Sequence, residues 1–222
     1  MEIVELPVPD AYLVTPRHLR DPRGAFFEIF RAGAVGAALG RPFPIAQVNF
    51  STSRRNTLRG IHGTITPPGQ AKVVMCVRGA VLDAVVDLRV GSPAFGRCSV
   101  NRLDSRSGAA VCVAEGLGHA FLALSEEACV GYLCSTEFVA GTQVDVNPLD
   151  PSLDLPWRTV TSDLVLSAKD RDAMSVAEAA AAGKLPAYDE CRRLYARAGA
   201  DPAPPVGPPA QRPPVSPQTL RR

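Results

Sequence analysis

The chain has 222 residues, 46% hydrophobic and 21% charged, with a formal net charge of +2. That length suits one compact domain with a sizeable core, needing neither metal nor disulfide staples. So small a net charge argues against a nucleic-acid or membrane footprint, and any anionic ligand must be met by a few placed cations.

The N-terminal stretch MEIVELPVPDAYLV is acidic and broken by proline, unlike a secretory leader. From residue 1 to 157, short apolar runs are separated by Gly, Pro, Asn and Asp, the pattern of an all-β sandwich or barrel. One amphipathic helical pattern interrupts it, at 32–39 (AGAVGAAL), weakened by two glycines. In 47–53 the side chains of Gln47, Asn49, Ser51 and Ser53 share one strand face, and Val48 and Phe50 the other. Such a polar row fits a solvent-facing strand and the lining of a wet pocket equally well. Further strands are predicted around 73–77, 80–89, 97–103, 109–113, 120–124 and 129–135. Within 80–89, Leu82, Ala84, Val86 and Leu88 share one face, while Val81, Asp83, Val85 and Asp87 share the other.

Past Trp157 the pattern turns helical. Ser175 followed three residues later by Glu178 is a capping box, opening a short helix that Gly183 stops. A second helix is predicted over 187–198, ended by Gly199. The expected organisation is a barrel core over 1–157, a helical extension over 158–200 packed on it, and a tail over 201–222. That tail is too rich in proline and too poor in apolar groups to fold, so disorder is expected. Six cysteines (Cys76, Cys98, Cys112, Cys129, Cys134 and Cys191) show no C-x-x-C spacing, and most lie inside apolar runs. They point to a reduced, cytoplasmic setting. No apolar run approaches the roughly 20 residues that span a bilayer.

The histidines are His18, His62 and His119. A barrel metal site of the H-x-H type needs paired imidazoles, a carboxylate and a later histidine. Here His62 stands alone in LRGIHG and His119 alone in GLGHAF, so no metal is expected. A metal-dependent oxygenase, its ligands converging from distant strands, stays as an alternative.

Arg59-Gly60-Ile61-His62 resembles the R-G-x-H motif of the dTDP-4-dehydrorhamnose 3,5-epimerases. Around it stand, in order, Asp21-Pro22-Arg23-Gly24, Gln47-Val48-Asn49, Ala71-Lys72, Asp87-Leu88-Arg89, Gly118-His119-Ala120-Phe121, Tyr132-Leu133-Cys134-Ser135, Asp150-Pro151 and Ser167-Ala168-Lys169-Asp170. The resemblance covers about residues 1–190. It implies a cupin-like double-stranded β-helix (jelly-roll) barrel with short C-terminal helices, assembled as a homodimer and using neither metal nor nicotinamide. The implied substrate is a dTDP-4-keto-6-deoxyhexose. A proton next to the ketone is removed, an enolate forms, and a proton returns on the opposite face. A 3,4-ketoisomerase and a non-catalytic sugar-nucleotide-binding barrel are further alternatives on the same scaffold.

The resemblance also implies roles. His62 matches the general base, as an imidazole titrating near neutrality can be. Asp170 matches the carboxylate that fixes its tautomer, and Tyr132 the phenol that serves the other face of the ring. Lys72 and Arg59 match groups that hold developing negative charge. Arg23 matches an arginine for the diphosphate, and Glu28, Gln47 and Asn49 positions near the nucleoside or sugar. His119 with Asp83 forms either a supporting imidazole–carboxylate pair or a satisfied polar pair in the core. Strict alternation puts Arg59 and His62 on opposite faces, so they share a pocket only if Gly60 relaxes the strand as a bulge does. The chain departs from the family pattern at Gly63, where an aromatic is common, at Phe138, where a second tyrosine is common, and at Ala120. Gly63 and Phe138 are expected to reshape the pocket floor or the nucleotide contact, which bears on whether carbon 3, carbon 5 or both are inverted.

Overall fold

The computed structural model describes residues 1–200; the predicted disordered tail, 201–222, lies outside them. The chain runs β1 (Glu2–Glu5), β2 (Ala11–Thr15), β3 (Leu19–Asp21), β4 (Gly24–Phe26), α1 (Ala32–Leu39), β5 (Gln47–Ser53) and β6 (Leu58–Thr64). It continues through β7 (Lys72–Arg78), β8 (Ala80–Asp87), β9 (Cys98–Asp104), β10 (Ala110–Val113), β11 (Leu117–Ala123), β12 (Ala128–Cys134) and β13 (Gln143–Asp145). A six-stranded sheet, β1-β2-β10-β7-β12-β5, faces a five-stranded one, β13-β6-β11-β8-β9, and β3 pairs only with β4. The strands of each sheet pair antiparallel. This is the cupin-like jelly roll.

Three apolar layers hold it. Between the sheets pack Val74, Cys76, Val81, Val85, Val111, Phe121 and Val130. Behind the five-stranded sheet, Leu58, Ile61, Ala84, Val86 and Leu88 meet Trp157 and Val176. Behind the six-stranded sheet, Val73, Met75 and Cys112 meet Val35 and Phe43. The two faces predicted for β8 therefore enter two different cores, and Asp83 and Asp87 sit on the inner face with Val81 and Val85. The helix α1 forms despite its glycines because Val35 is buried against the sheet and Gly40 closes the last turn at φ 68°.

The C-terminal segment supplies α2 (Trp157–Val160), α3 (Ala168–Arg171), α4 (Val176–Ala181) and α5 (Tyr188–Ala200). Trp157 is buried, and its indole N–H donates to the Pro148 carbonyl at 2.9 Å. The capping box of α4 forms, with Ser175 and Glu178 exchanging hydrogen bonds. The helix α5 differs from expectation, running through Gly199 instead of ending there. A Cβ at Gly199 would come within 3.0 Å of the Gly40 carbonyl, so the missing side chain serves close packing and not termination. Tyr195 and Cys191 of α5 enter the inter-sheet core, and buried Arg89 bonds Asp87 and Asp10 beneath it. All six cysteines are free thiols, and among the described residues no helix is long and apolar enough to cross a membrane.

Candidate active site

The strand β6 sets the site through one irregularity. His62 pairs with His119 and Arg59 pairs with Phe121, so three steps along β6 oppose two along β11. The extra residue is the bulge that the motif required, and it turns Arg59 and His62 to the same side. Leu58 and Ile61 point the other way, into the outer core. Gly60 makes this possible at φ +111°, where a Cβ would stand 2.6 Å from the His119 carbonyl oxygen and 2.7 Å from the Ala120 methyl. The departure at Ala120 thus fills the space over Gly60.

Across the sandwich, Tyr132 pairs with Asn49 on one side, and Cys134 pairs with Lys72 on the other. Period-two alternation turns Lys72, Tyr132, Cys134 and the β5 row of Gln47, Asn49 and Ser51 inward. Asn49 and Ser51 of the polar row line a cavity at the β5 edge, and Phe50 touches its lining, while Val48 and Phe50 are 50% and 68% exposed. Asn49, Arg59, His62, Lys72, His119 and Tyr132 all line this one cavity, of about 300 Å³. That suits a small ligand.

His62 Nε2 lies 2.7 Å from Asp170 Oδ1, and Nδ1 has no hydrogen-bond partner among the described residues. A carboxylate on one ring nitrogen leaves the other to accept a proton. Asp170 is buried at the third position of α3, its amide donating to the N-cap Ser167 hydroxyl at 3.1 Å. Burial alone would raise its carboxyl. Hydrogen bonds from His62, Ser167 and the Gly60 amide, with the charge of His62, hold it below the ordinary value. It is a carboxylate at neutral pH.

Tyr132 rises from the opposite sheet. Burial pushes its phenol well above the usual value; Asp83 adds to this and Arg59 opposes it. The phenol therefore keeps its proton near neutrality. Its ring meets His119 edge-on, with centroids 6.0 Å apart and planes at 85°. His119 Nε2 lies 2.5 Å from Asp83 Oδ2, and both residues are buried. His119 lines the cavity behind the phenol, and the other Asp83 oxygen, Oδ1, is buried without a hydrogen-bond partner among the described residues, so the pair is not a fully satisfied core pair. Burial lowers the Lys72 ammonium below its ordinary value, and Cys134 acts in the opposite direction. No carboxylate within 4.0 Å pairs with Lys72 among the described residues. An amine without a carboxylate partner, placed in the cavity wall, is positioned to meet negative charge that develops there. Arg59 is braced by Ser53 Oγ at 2.9 Å and the Thr52 carbonyl at 3.1 Å.

The chain does not bring every expected residue to this cavity. Gln47 holds its rim, donating to Asn49 Oδ1 at 2.9 Å and accepting from the Phe138 amide at 2.7 Å. Arg23 and Glu28 do not line the cavity of their own chain. Arg23 is 89% exposed and pairs with Asp21, and Glu28 pairs with Arg31. The reason is topological: Arg23 sits in the turn of the β3–β4 hairpin and Glu28 just after it, and the hairpin joins neither main sheet. Gly63 lines the cavity, and a Cβ there would meet Leu117 O, Val144 and Leu88 at 3.4–3.8 Å. Phe138, 62% exposed, stands at the cavity mouth.

Sequence reasoning missed Asp145, whose Oδ1 is 3.7 Å from His62 Nε2 and 3.0 Å from Lys169 Nζ. Its strand, β13, has three residues and too little periodicity to be read. Ser167 was within reach, since Ser-x-x-Asp at 167–170 is itself a helix-start signal. Among the described residues, no group of three or more His, Cys, Asp or Glu side chains is arranged to hold a metal.

The sequence profile of the dTDP-4-dehydrorhamnose 3,5-epimerase family matches residues 5–178. A dTDP-4-dehydrorhamnose 3-epimerase of Streptomyces niveus is 46% identical over 87% of this chain and 93% of its own length. A dTDP-4-dehydrorhamnose 3,5-epimerase of Mycolicibacterium smegmatis is 44% identical over 85% of this chain and 92% of its own. The crystal structure of ChmJ, a 3'-monoepimerase from Streptomyces bikiniensis in complex with dTDP-quinovose, superposes with a TM-score of 0.84 at 40% identity, covering 90% of this chain and 100% of that one.

Proposed function

The chain belongs to the dTDP-4-dehydrorhamnose 3,5-epimerase family, and from that premise we propose how its residues invert a carbon next to the ketone of a dTDP-4-keto-6-deoxyhexose. It is a sugar-nucleotide epimerase of deoxysugar biosynthesis. His62, oriented by Asp170, takes the proton from the carbon beside the carbonyl through Nδ1. The electron pair moves onto the carbonyl oxygen, and Lys72 and Arg59 supply the positive charge that holds this enolate. Tyr132, protonated and on the facing sheet, returns a proton from the other side, while Asn49 and the His119–Asp83 pair position the sugar. Inversion needs an acid and a base on opposite faces, because one group alone returns the proton where it found it.

The observation that carries this reading is that His62 and Tyr132 stand on opposing sheets and line one cavity. The test is to incubate the protein with substrate in heavy water and follow the product by NMR. Deuterium at carbon 3, carbon 5 or both, with inverted configuration, is expected. A product whose carbonyl has moved to carbon 3 would make it a ketoisomerase instead.

The active form on this reading is a homodimer in the cytoplasm. Phe26 and Leu19 of the isolated hairpin are 70% and 55% exposed, and the β5 edge exposes Val48 and Phe50. A second copy covering these surfaces would bring Arg23 and Glu28 to its partner's cavity, which accounts for their absence from their own. Six free thiols fit a reducing compartment. Sedimentation equilibrium tests the assembly: a monomer at micromolar concentration contradicts it.

A further inference from the structure

The β3–β4 hairpin joins neither main sheet, yet one stacked pair closes its base. Leu19 pairs with Phe26 at the open end of the hairpin, and the next two residues outward are His18 and Phe27. Their rings stack with centroids 4.4 Å apart and planes at 24°. His18 Nε2 lies 2.8 Å from the carbonyl oxygen of Ser107, in the turn between β9 and β10. A carbonyl only accepts, so Nε2 carries the proton and donates. Phe27 rests on the next residue of that turn: a Cβ at Gly108, which holds φ +63°, would overlap its ring. The turn is itself fixed. The Arg106 and Ser107 amides donate to Asp104 Oδ1 at 2.9 Å, and the Gly108 amide donates to the Asp104 carbonyl at 3.1 Å. We propose that His18, Phe27 and Gly108 form a clamp that aims the hairpin at a second copy of the chain and so sets Arg23, at its tip, onto the diphosphate bound there; this rests on the reading of the active form as a homodimer.

The hairpin is a short lever. From the His18–Phe27 stack to the Asp21–Gly24 pair at the tip is three residue steps, about 10 Å of strand. Both of its strands are exposed throughout, so their own chain does not bury this stretch. A swing of about 20° at the base would carry the tip about 3–4 Å, more than a hydrogen-bonded guanidinium contact tolerates. Beyond Glu28 the chain is held independently, by Ile29 and Phe30 packed on the outer core. The stretch from the clamp to the tip has the stack alone to give it a direction. His18 and Phe27 belong to none of the three apolar layers, so the stack contributes little to holding the barrel together. Diphosphate contacts lie away from the reacting carbon and hold ground and transition states alike, so a lost aim shows in KM and not in kcat.

The test uses the full-length protein, with dTDP binding measured by calorimetry beside kcat and KM for the keto sugar. Arg23→Ala should weaken dTDP binding about 10-fold or more, as loss of a charge-assisted contact does. Phe27→Ala should weaken it about 5–10-fold and raise KM alike, with kcat unchanged within about twofold. Gly108→Ala, whose methyl pushes the ring off the turn, should do the same. The double variant Phe27→Ala/Arg23→Ala should bind no more weakly than Arg23→Ala alone, because without the guanidinium nothing is left to aim. Fold-changes that multiply, or a Phe27→Ala protein that binds dTDP as the unaltered one does, overturn the inference. So does a Phe27→Ala protein that sediments as a monomer where the unaltered one is a dimer, since the stack then serves assembly. If Gly108→Ala fails to fold, Phe27→Ala decides alone, its ring lying outside the apolar layers. If Arg23→Ala leaves dTDP binding unchanged, the placement of Arg23 at the partner's diphosphate falls first, and the clamp with it.

Discussion

Replacing Gly60 by alanine tests the link between backbone and chemistry. At φ +111° an L side chain is strained, at about 1–3 kcal/mol. The new methyl would also stand 2.6 Å from a backbone carbonyl and 2.7–2.8 Å from Ala120, contacts that backbone must yield to relieve. Forcing an extra carbon into a packed interior costs about 1–3 kcal/mol more. The sum, roughly 2–6 kcal/mol, lowers Tm by about 4–24 °C in a domain of this size. Activity should fall further than stability, because Gly60 separates Arg59 from His62 and its amide also bonds Asp170. Thermal unfolding followed by circular dichroism, with turnover measured well below Tm, separates the two effects. At least a tenfold loss of turnover in folded protein is expected. A variant with unchanged Tm and full turnover would refute the reasoning that the bulge requires glycine.

Other outcomes follow from the same geometry. Lys72→Met should lower kcat about 100-fold or more while dTDP binding measured by calorimetry persists, since the ammonium acts on charge that develops in the reaction. Burial destabilises that ammonium and raises the Tyr132 phenol, so the alkaline loss of activity should begin below the usual lysine range and should vanish in Lys72→Met. Asp170 has a folded carboxyl below its unfolded value, so its contribution to stability is complete above roughly pH 4 and is lost as pH falls towards the folded value. Asp170→Asn should erase that part of the acid dependence in urea unfolding. Trp157→Ala should cost about 3–5 kcal/mol, measured by the same unfolding, because a buried indole anchors the helical segment that carries Asp170.

Much of the barrel was legible in the sequence because its central strands are long and alternate cleanly. The two faces of 80–89 were assigned correctly from side-chain period alone, although both turned out to be buried. The short outer strands β1, β2, β3, β4 and β13 were not placed, since three to five residues give alternation little room to show. The polar row of β5 was seen but not its destination. That depended on Asn49 pairing with Tyr132, a contact across 83 residues of chain between numbers 49 and 132. His62 and Asp170 were matched by motif, and their bond at 2.7 Å joins a strand to a one-turn helix that no local pattern connects. Gly60 was the informative exception: a glycine inside a strand pattern, between two residues needed on one face, already implied a bulge.

The central claim is that a base on one wall and an acid on the other act on opposite faces of one sugar. Configuration and isotope content of the sugar after incubation in heavy water, compared between His62→Ala and Tyr132→Phe, test it most directly. His62→Ala should neither exchange the proton nor invert the carbon, whereas Tyr132→Phe should exchange it with the original configuration retained. Inversion at the normal rate in either variant would contradict the account.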